Sequence, residues 1–194
     1  IASVVPQVLN PVKAALQKLF GKPILVVGPG IKTGLNIRID NPAQTGADLV
    51  VGCVAALKMQ KPPLIVIDMG TATTMMVLDE NGAMIGGSIS PGIRISMEAL
   101  TQRAALLPGL QLDKPKRTIG RSTVECMRSG ILYGAASMID GMVERMEEEL
   151  GTKATVVATG RIGRFVVPLC KTPIVYDRDL IIKGLAALYL ENTK

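Results

Sequence analysis

Ile65-Val66-Ile67-Asp68-Met69-Gly70-Thr71-Ala72-Thr73-Thr74 is an apolar run that ends in a carboxylate and passes at once into small and hydroxyl-bearing residues. The run has the length and β-branched content of a buried strand, and glycine follows where it stops. Gly70 leaves room for a phosphate to come close to the backbone. Successive backbone N–H groups in such a turn make an anion-binding concavity. Thr71 and Thr73 add hydroxyl donors. Asp68 offers a hard oxygen ligand for a cation that would offset phosphate charge. The spacing is not that of a Walker loop. A polar β-turn whose threonines simply favour strand structure would carry the same residues.

Working outward, Leu64 to Ile67 and Thr73 to Leu78 are expected strands. Asp79-Glu80-Asn81-Gly82 is a hairpin turn leading to a third strand over Ala83 to Ile85. Gly86-Gly87 and Pro91-Gly92 are expected to bracket a tight loop, either an ordinary connection or a backbone wall around a ligand. Helical spacing follows over Arg94 to Ala104. It returns over Thr123 to Leu150, where Met127, Ile131, Ala135, Met138 and Met142 form a stripe suited to a core or a dimer surface. Ala154 to Ala158 reads as a strand ending at Thr159-Gly160, and Leu180 to Leu190 as a closing helix. On the other side, Pro11 to Phe20 and Gly46 to Met59 read as helices, and Ile24 to Val27 and Leu35 to Ile39 as short strands. Lys61-Pro62-Pro63 is the clearest break and the expected domain boundary. Meandering strands, then helices, then a further strand point to an α/β domain of the ribonuclease-H-like or actin-like kind.

Hydrophobic residues make up 48% of the 194, enough for a full core, yet aromatics are 3%, so that core must be aliphatic. Histidine is absent, which removes histidine-based triads and argues against a zinc enzyme. Cys53, Cys126 and Cys170 form no Cys-x-x-Cys pair and are expected to be buried thiols of a reducing cytoplasm. No apolar run of about 18 residues is present, so no membrane-spanning helix is expected. The net charge of +6 raises nucleic acid as a partner. The basic residues are scattered apart from Lys114-Pro115-Lys116-Arg117, and aromatic stacking groups are scarce. An anionic small substrate fits the charge as well, and nucleic acid is not the expected partner.

Asp48 follows Gly46-Ala47 at a helix start. It is either a carboxylate favoured by the helix dipole or the base that a phosphoryl-transfer enzyme needs for its substrate hydroxyl. Thr123 stands before a helix, as an N-cap or as a ligand contact.

In order along the chain, these stretches resemble the type III pantothenate kinase family. Ile1 to Pro6 is similar to its segment ending in Val-Val-Pro. Gly46-Ala47-Asp48, after Asn41-Pro42, is similar to its Gly-x-Asp-Arg motif. Asp68 to Thr74 is similar to its Asp-Phe-Gly-Thr-Ala-Thr-Thr motif. Gly86-Gly87, Pro91-Gly92-Ile93, Thr123, Met127, Ser129-Gly130 and Gly134 follow in register. The resemblance implies an actin-like, duplicated ribonuclease-H-like kinase fold. Residues 1–62 would be the C-terminal part of an incomplete first domain, and 63–194 a complete second domain. It implies ATP-dependent phosphorylation of pantothenate on its primary hydroxyl, the first step towards coenzyme A. Magnesium and a monovalent cation, potassium or ammonium, are implied too, with a cytoplasmic homodimer whose pantothenate pocket lies at the subunit interface. By the same resemblance Asp48 is the general base and Asp68 the monovalent-cation ligand. Gly70, Thr71, Thr73 and Gly160 lie on the nucleotide side, and Gly46, Ala47 and Thr123 line the pantothenate pocket. Three positions depart from the pattern. Leu49 stands for the motif's arginine, Ile39 for a tyrosine, and Arg161 for a second glycine. They leave open a homologue that binds nucleotide and acts on another small molecule, or as a regulatory protein. The chain starts at Ile1, so the family's Asp-x-Gly-Asn-Thr phosphate loop is expected upstream of it.

Overall fold

A five-stranded sheet organises the chain in the computed structural model, which describes residues 1–193. Lys194, the last residue of the expected second domain, lies outside the described residues. The elements in order are α1 (Pro6–Phe20), α2 (Ala47–Met59), β1 (Leu64–Met69), β2 (Ala72–Leu78), β3 (Met84–Pro91), α3 (Ile93–Arg103), α4 (Thr123–Leu150), β4 (Thr155–Thr159), α5 (Gly163–Val166), β5 (Ile174–Tyr176) and α6 (Leu180–Asn192). The sheet order is β3-β2-β1-β4-β5. The first three strands form an antiparallel meander, and β4 and β5 run parallel to β1. This is the α/β, ribonuclease-H-like arrangement expected from the sequence.

Alternation along the strands sends side chains to two cores. Leu64 and Val66 of β1, Met76 and Leu78 of β2 and Val157 of β4 pack with α2 and α6. Ile65, Ile67, Met69, Met75, Val77, Val156 and Ala158 pack on α4. In α2, every residue from Val50 to Ala56 is buried. A helix buried on all sides needs cover on all sides. The sheet, α6 and the preceding segment at Val27 and Leu35 provide it. Gly184 of α6 makes the closest approach: a Cβ there would lie 2.7 Å from Val51 Cγ1, and nearer still to the Val51 carbonyl oxygen.

α4 begins with a side-chain cap. Ser122 Oγ accepts from the Glu125 N–H at 3.3 Å, and Glu125 Oε2 accepts from the Arg121 N–H at 2.9 Å. This is a near relative of the capping box, and the N-cap is therefore Ser122 rather than Thr123.

Several expected elements differ. Ile24 to Val27 is not a strand. Among the described residues its backbone hydrogen-bonds with residue 1, through Val27 N–H to Ile1 O at 2.8 Å and the Ile1 amino group to Leu25 O at 2.6 Å. Leu35 to Ile39 forms one parallel bridge, Ile37 to Met84. Gly86-Gly87 and Pro91 do not bracket a loop, because all three belong to β3. Gly87 sits so close to Met75 O on β2 that no Cβ would fit. The cysteines are not uniformly buried: Cys53 is buried, Cys170 half-buried and Cys126 exposed.

Candidate active site

The cross-strand register builds the site. Ile89 of β3 pairs with Thr74 of β2, Thr74 with Asp68 of β1, and Asp68 with Thr159 of β4. Directly paired residues project from the same face of a sheet, so these four form a row across the face that carries α2 and α6. The row lies at the C-terminal end of β1 and β4. Ligands of open α/β sheets bind outside the carboxyl ends of the strands.

Asp48 comes to this row from α2. Gly46 is the N-cap of α2 without a side-chain cap. Asp48 Oδ1 accepts from the Leu49 N–H at 3.0 Å, as a carboxylate in a first helical turn does. Asp48 also lines one small cavity with Leu49, Asp68, Thr74, Thr159 and Ile181. The helix-start reading of Asp48 holds, and the same first turn brings its carboxylate to the sheet row. Burial, reinforced by the negative charge of Asp48, pushes the Asp68 carboxyl above the usual carboxylate range. Among the described residues, no lysine or arginine lines this cavity.

Two buried threonine hydroxyls lack partners among the described residues. Thr45 Oγ1, just before Gly46, and Thr74 Oγ1, beside Asp68, are buried without a hydrogen bond. A buried polar atom left unpaired is costly, and in native proteins it marks a missing partner. Asp68 and Thr74 therefore present oxygen donors of the kind a hard cation takes. No group of three or more acidic, cysteine or histidine side chains gathers among the described residues. A cation here would complete its shell with ligand oxygens or water.

The turn at Gly70-Thr71 is exposed and firmly backed. The Gly70 N–H donates to Ala72 O at 3.0 Å, and the Gly92 N–H donates to Thr71 O at 3.1 Å. Gly92 is pressed against this turn, since a Cβ on it would lie 2.6 Å from Gly70 O and closer to Thr71 O. At the end of β4, Gly160 takes a φ of 95°, and a Cβ there would lie 2.5 Å from Met69 O. Only glycine combines that backbone with that approach. Tyr176 Oη donates to Gly160 O at 2.9 Å and fixes the turn from β5.

Asp48, Asp68, Gly46 and Ala47 are thus gathered at the α2 side, with Gly70, Thr71 and Gly160 on the turns at the strand ends. Thr73 is not part of this face. It is 3% exposed and lines a groove between α3 and α4 on the other side of the sheet, and its carbonyl accepts from Ser90 Oγ at 3.2 Å. Thr123 is exposed at the start of α4, in the layer opposite Gly46 and Ala47. Sequence reasoning missed Thr74 and Thr159 as members of the row. Register alone brings them beside Asp68.

The sequence matches the model of the type III pantothenate kinase family over residues 1–145. It is 45% identical to the type III pantothenate kinase of Exiguobacterium sp. across the whole chain, covering 76% of that protein. Identity to the type III pantothenate kinase of Bacillus cytotoxicus is 43% over 99% of the chain and 73% of the relative. Among solved structures, one from Campylobacter jejuni described as a Baf family transcriptional activator superposes with a TM-score of 0.65. It is 20% identical, and the match covers 98% of this chain and 80% of that one. That likeness concerns the fold.

Proposed function

The chain belongs to the type III pantothenate kinase family, and on that premise we infer that it carries out the ATP-dependent phosphorylation of pantothenate to 4'-phosphopantothenate, the first step of coenzyme A biosynthesis. The observation that carries this reading is the meeting of Asp48 with Asp68 over one sheet row at the strand ends. Phosphoryl transfer asks a protein for positioning, a proton acceptor and compensation of charge.

Asp48 is the proton acceptor. Its carboxylate accepts the proton of the primary hydroxyl as that oxygen attacks, and the Leu49 N–H holds it in orientation. ATP supplies the phosphoryl group and leaves as ADP. Gly70 and Thr71 offer the exposed turn for its phosphates. Gly160, kept open by its backbone, borders the nucleotide from the end of β4. Thr73 contributes through its place in the hairpin rather than through its hydroxyl. Asp68, with the Thr74 hydroxyl, would hold a monovalent cation, potassium or ammonium, while magnesium would accompany the nucleotide. Such cations supply the positive charge that this cavity lacks in its side chains.

Gly46 and Ala47 border the hydroxyl-bearing substrate from α2. Thr123 stands in the opposite layer, so one pocket holding all three is best made by two copies, with Thr123 supplied from the second. A homodimer follows, with residues 1–62 as part of a first ribonuclease-H-like domain and 63–194 as the second. A cytoplasmic location accords with this chemistry. No described helix is long and apolar enough to cross a membrane.

The test is an assay of the intact protein with pantothenate, ATP, magnesium and potassium or ammonium. Asp48→Asn should lower kcat by about 10²–10⁴-fold. No product above that variant's level refutes the function.

A further inference from the structure

The Gly160 carbonyl takes more hydrogen bonds than its turn requires. It accepts from the Gly163 N–H at 3.1 Å, the bond that closes the turn after β4. It accepts a second bond from Tyr176 Oη at 2.9 Å. Tyr176 is the last residue of β5 and pairs with Ala158 of β4. Its ring lies against Gly163, where a Cβ would come 2.6 Å from ring carbon Cε2. A tyrosine hydroxyl away from water usually finds some partner, so a plain structural bond is the simplest account. Phenylalanine would fill the same place against Gly163, however, and the Gly160 carbonyl would still have its Gly163 partner. The hydroxyl adds orientation to a group that is already satisfied.

The other side of the same peptide shows what is oriented. In a planar trans peptide the C=O and N–H point in opposite directions. With Gly160 O turned to Tyr176 on β5, the Arg161 N–H is turned away from β5. The strand order β1-β4-β5 puts β1 on that side. The carboxyl end of β1 leads into the Gly70-Thr71 turn, and Gly160 presses on it: a Cβ at Gly160 would lie 2.5 Å from Met69 O and 2.7 Å from Met69 C and N. Arg161 is exposed, and its N–H has no backbone acceptor among the described residues. Backbone N–H groups make strong, short bonds to oxyanions. Among the described residues, no lysine or arginine lines the adjoining Asp48–Asp68 cavity, so a backbone donor beside it weighs more.

We propose that Tyr176 is a positioning residue for the nucleotide: its hydroxyl fixes the Gly160–Arg161 peptide, and the Arg161 N–H aimed in this way donates to a phosphate oxygen of ATP. This rests on the kinase reading above, with Gly160 on the nucleotide side, and adds the group that orients that side. Tyr176 itself touches no substrate. It stands behind the turn, and its effect passes through one peptide plane.

The experiment compares two ways of loosening β5 in the intact protein. Tyr176→Phe keeps the ring and removes the hydroxyl. It should raise KM for ATP by roughly 3–10-fold, the effect of one misplaced hydrogen bond, with KM for pantothenate within about twofold and kcat within about threefold. The dissociation constant of magnesium ADP, read by calorimetry, should rise by a similar factor. Asp140→Asn weakens the other tether of β5, since the Asp140 carboxylate accepts from the Lys171 and Thr172 N–H groups at 2.9–3.0 Å. It should lower Tm and leave KM for ATP unchanged. In wild type, amide exchange at Arg161 should slow when magnesium ADP is added. An equal rise in KM for ATP in both variants overturns the proposal and makes the hydroxyl a general anchor of β5. An unchanged KM in Tyr176→Phe, or Arg161 exchange indifferent to ADP, overturns it while pantothenate phosphorylation stands. If wild type neither binds ADP nor phosphorylates pantothenate, the kinase reading falls and this inference with it.

Discussion

Replacing Gly184 with alanine tests the contact that sets the position of Asp48. The new Cβ would lie 2.7 Å from Val51 Cγ1 and 3.1 Å from the Val51 carbonyl carbon, with the carbonyl oxygen nearer still. Carbon atoms rest at about 3.5–4.0 Å, so α6 and α2 must separate by roughly 1 Å. The Val51 side chain could turn away, but its carbonyl belongs to a helix buried throughout its middle and cannot. Overpacking of this kind costs about 1–3 kcal/mol. For a chain of this size each kcal/mol lowers Tm by about 2–4 °C, so a fall of roughly 2–12 °C is expected. Asp48 is carried by α2, while Asp68 stays with the sheet. Under the kinase reading, a misplacement of Asp48 by about 1 Å lowers kcat/KM by up to about 100-fold. Thermal unfolding and steady-state kinetics read the two effects separately. Gly130→Ala is the contrast, since its Cβ meets nothing within 4 Å. It should raise stability by about 0.5–1 kcal/mol through helix propensity. If Gly184→Ala leaves both Tm and kcat/KM at wild-type values, the α2–α6 contact does not position Asp48.

Asp68→Asn should gain stability relative to wild type as pH rises from 4 to 7 in cation-free buffer. The raised pKa of Asp68 means that the folded state retains a proton the unfolded chain has lost. Wild-type stability therefore falls as pH climbs from the unfolded carboxylate value through the folded one, and Tm curves that stay parallel would contradict this. Gly160→Ala forces a side chain onto a φ of 95° and against Met69 O. It should cost more than about 1 kcal/mol and raise KM for ATP more than KM for pantothenate, and an unchanged ratio would exclude Gly160 from the nucleotide side. Thiol alkylation followed by mass spectrometry should label Cys126 first, because burial pushes the Cys53 and Cys170 thiols up to about 12. Labelling of Cys53 ahead of it in the folded protein would refute the packing of α2.

The sequence carried the elements whose burial leaves a period. β1 and β2 were legible from apolar runs bounded by glycine and charge, and α4 from its stripe. Failures came where structure depends on a partner rather than on a pattern. Leu35 to Ile39 alternates as a strand does, but it meets β3 only at Met84. Gly86-Gly87 signals a turn in composition, yet Gly87 is required inside β3 by the closeness of β2. β5 and α5 are too short to show any period. In the site, Asp48 and Asp68 were each visible as carboxylates next to small residues. Their meeting was not visible, because it depends on how α2 lies across the sheet. Thr73 rather than Thr74 was singled out in the motif, and the strand's alternation sends the two onto opposite faces.

The seat of Gly92 against the Thr71 carbonyl has a mechanical consequence. The Gly70-Thr71 turn and the first residues of α3 are tied by the Gly92 N–H bond to Thr71 O, so they are expected to move together. A ligand that stills the turn also stills the start of α3, which borders the groove on the far side of the sheet. Amide exchange at Ile93 to Ser96 would register it.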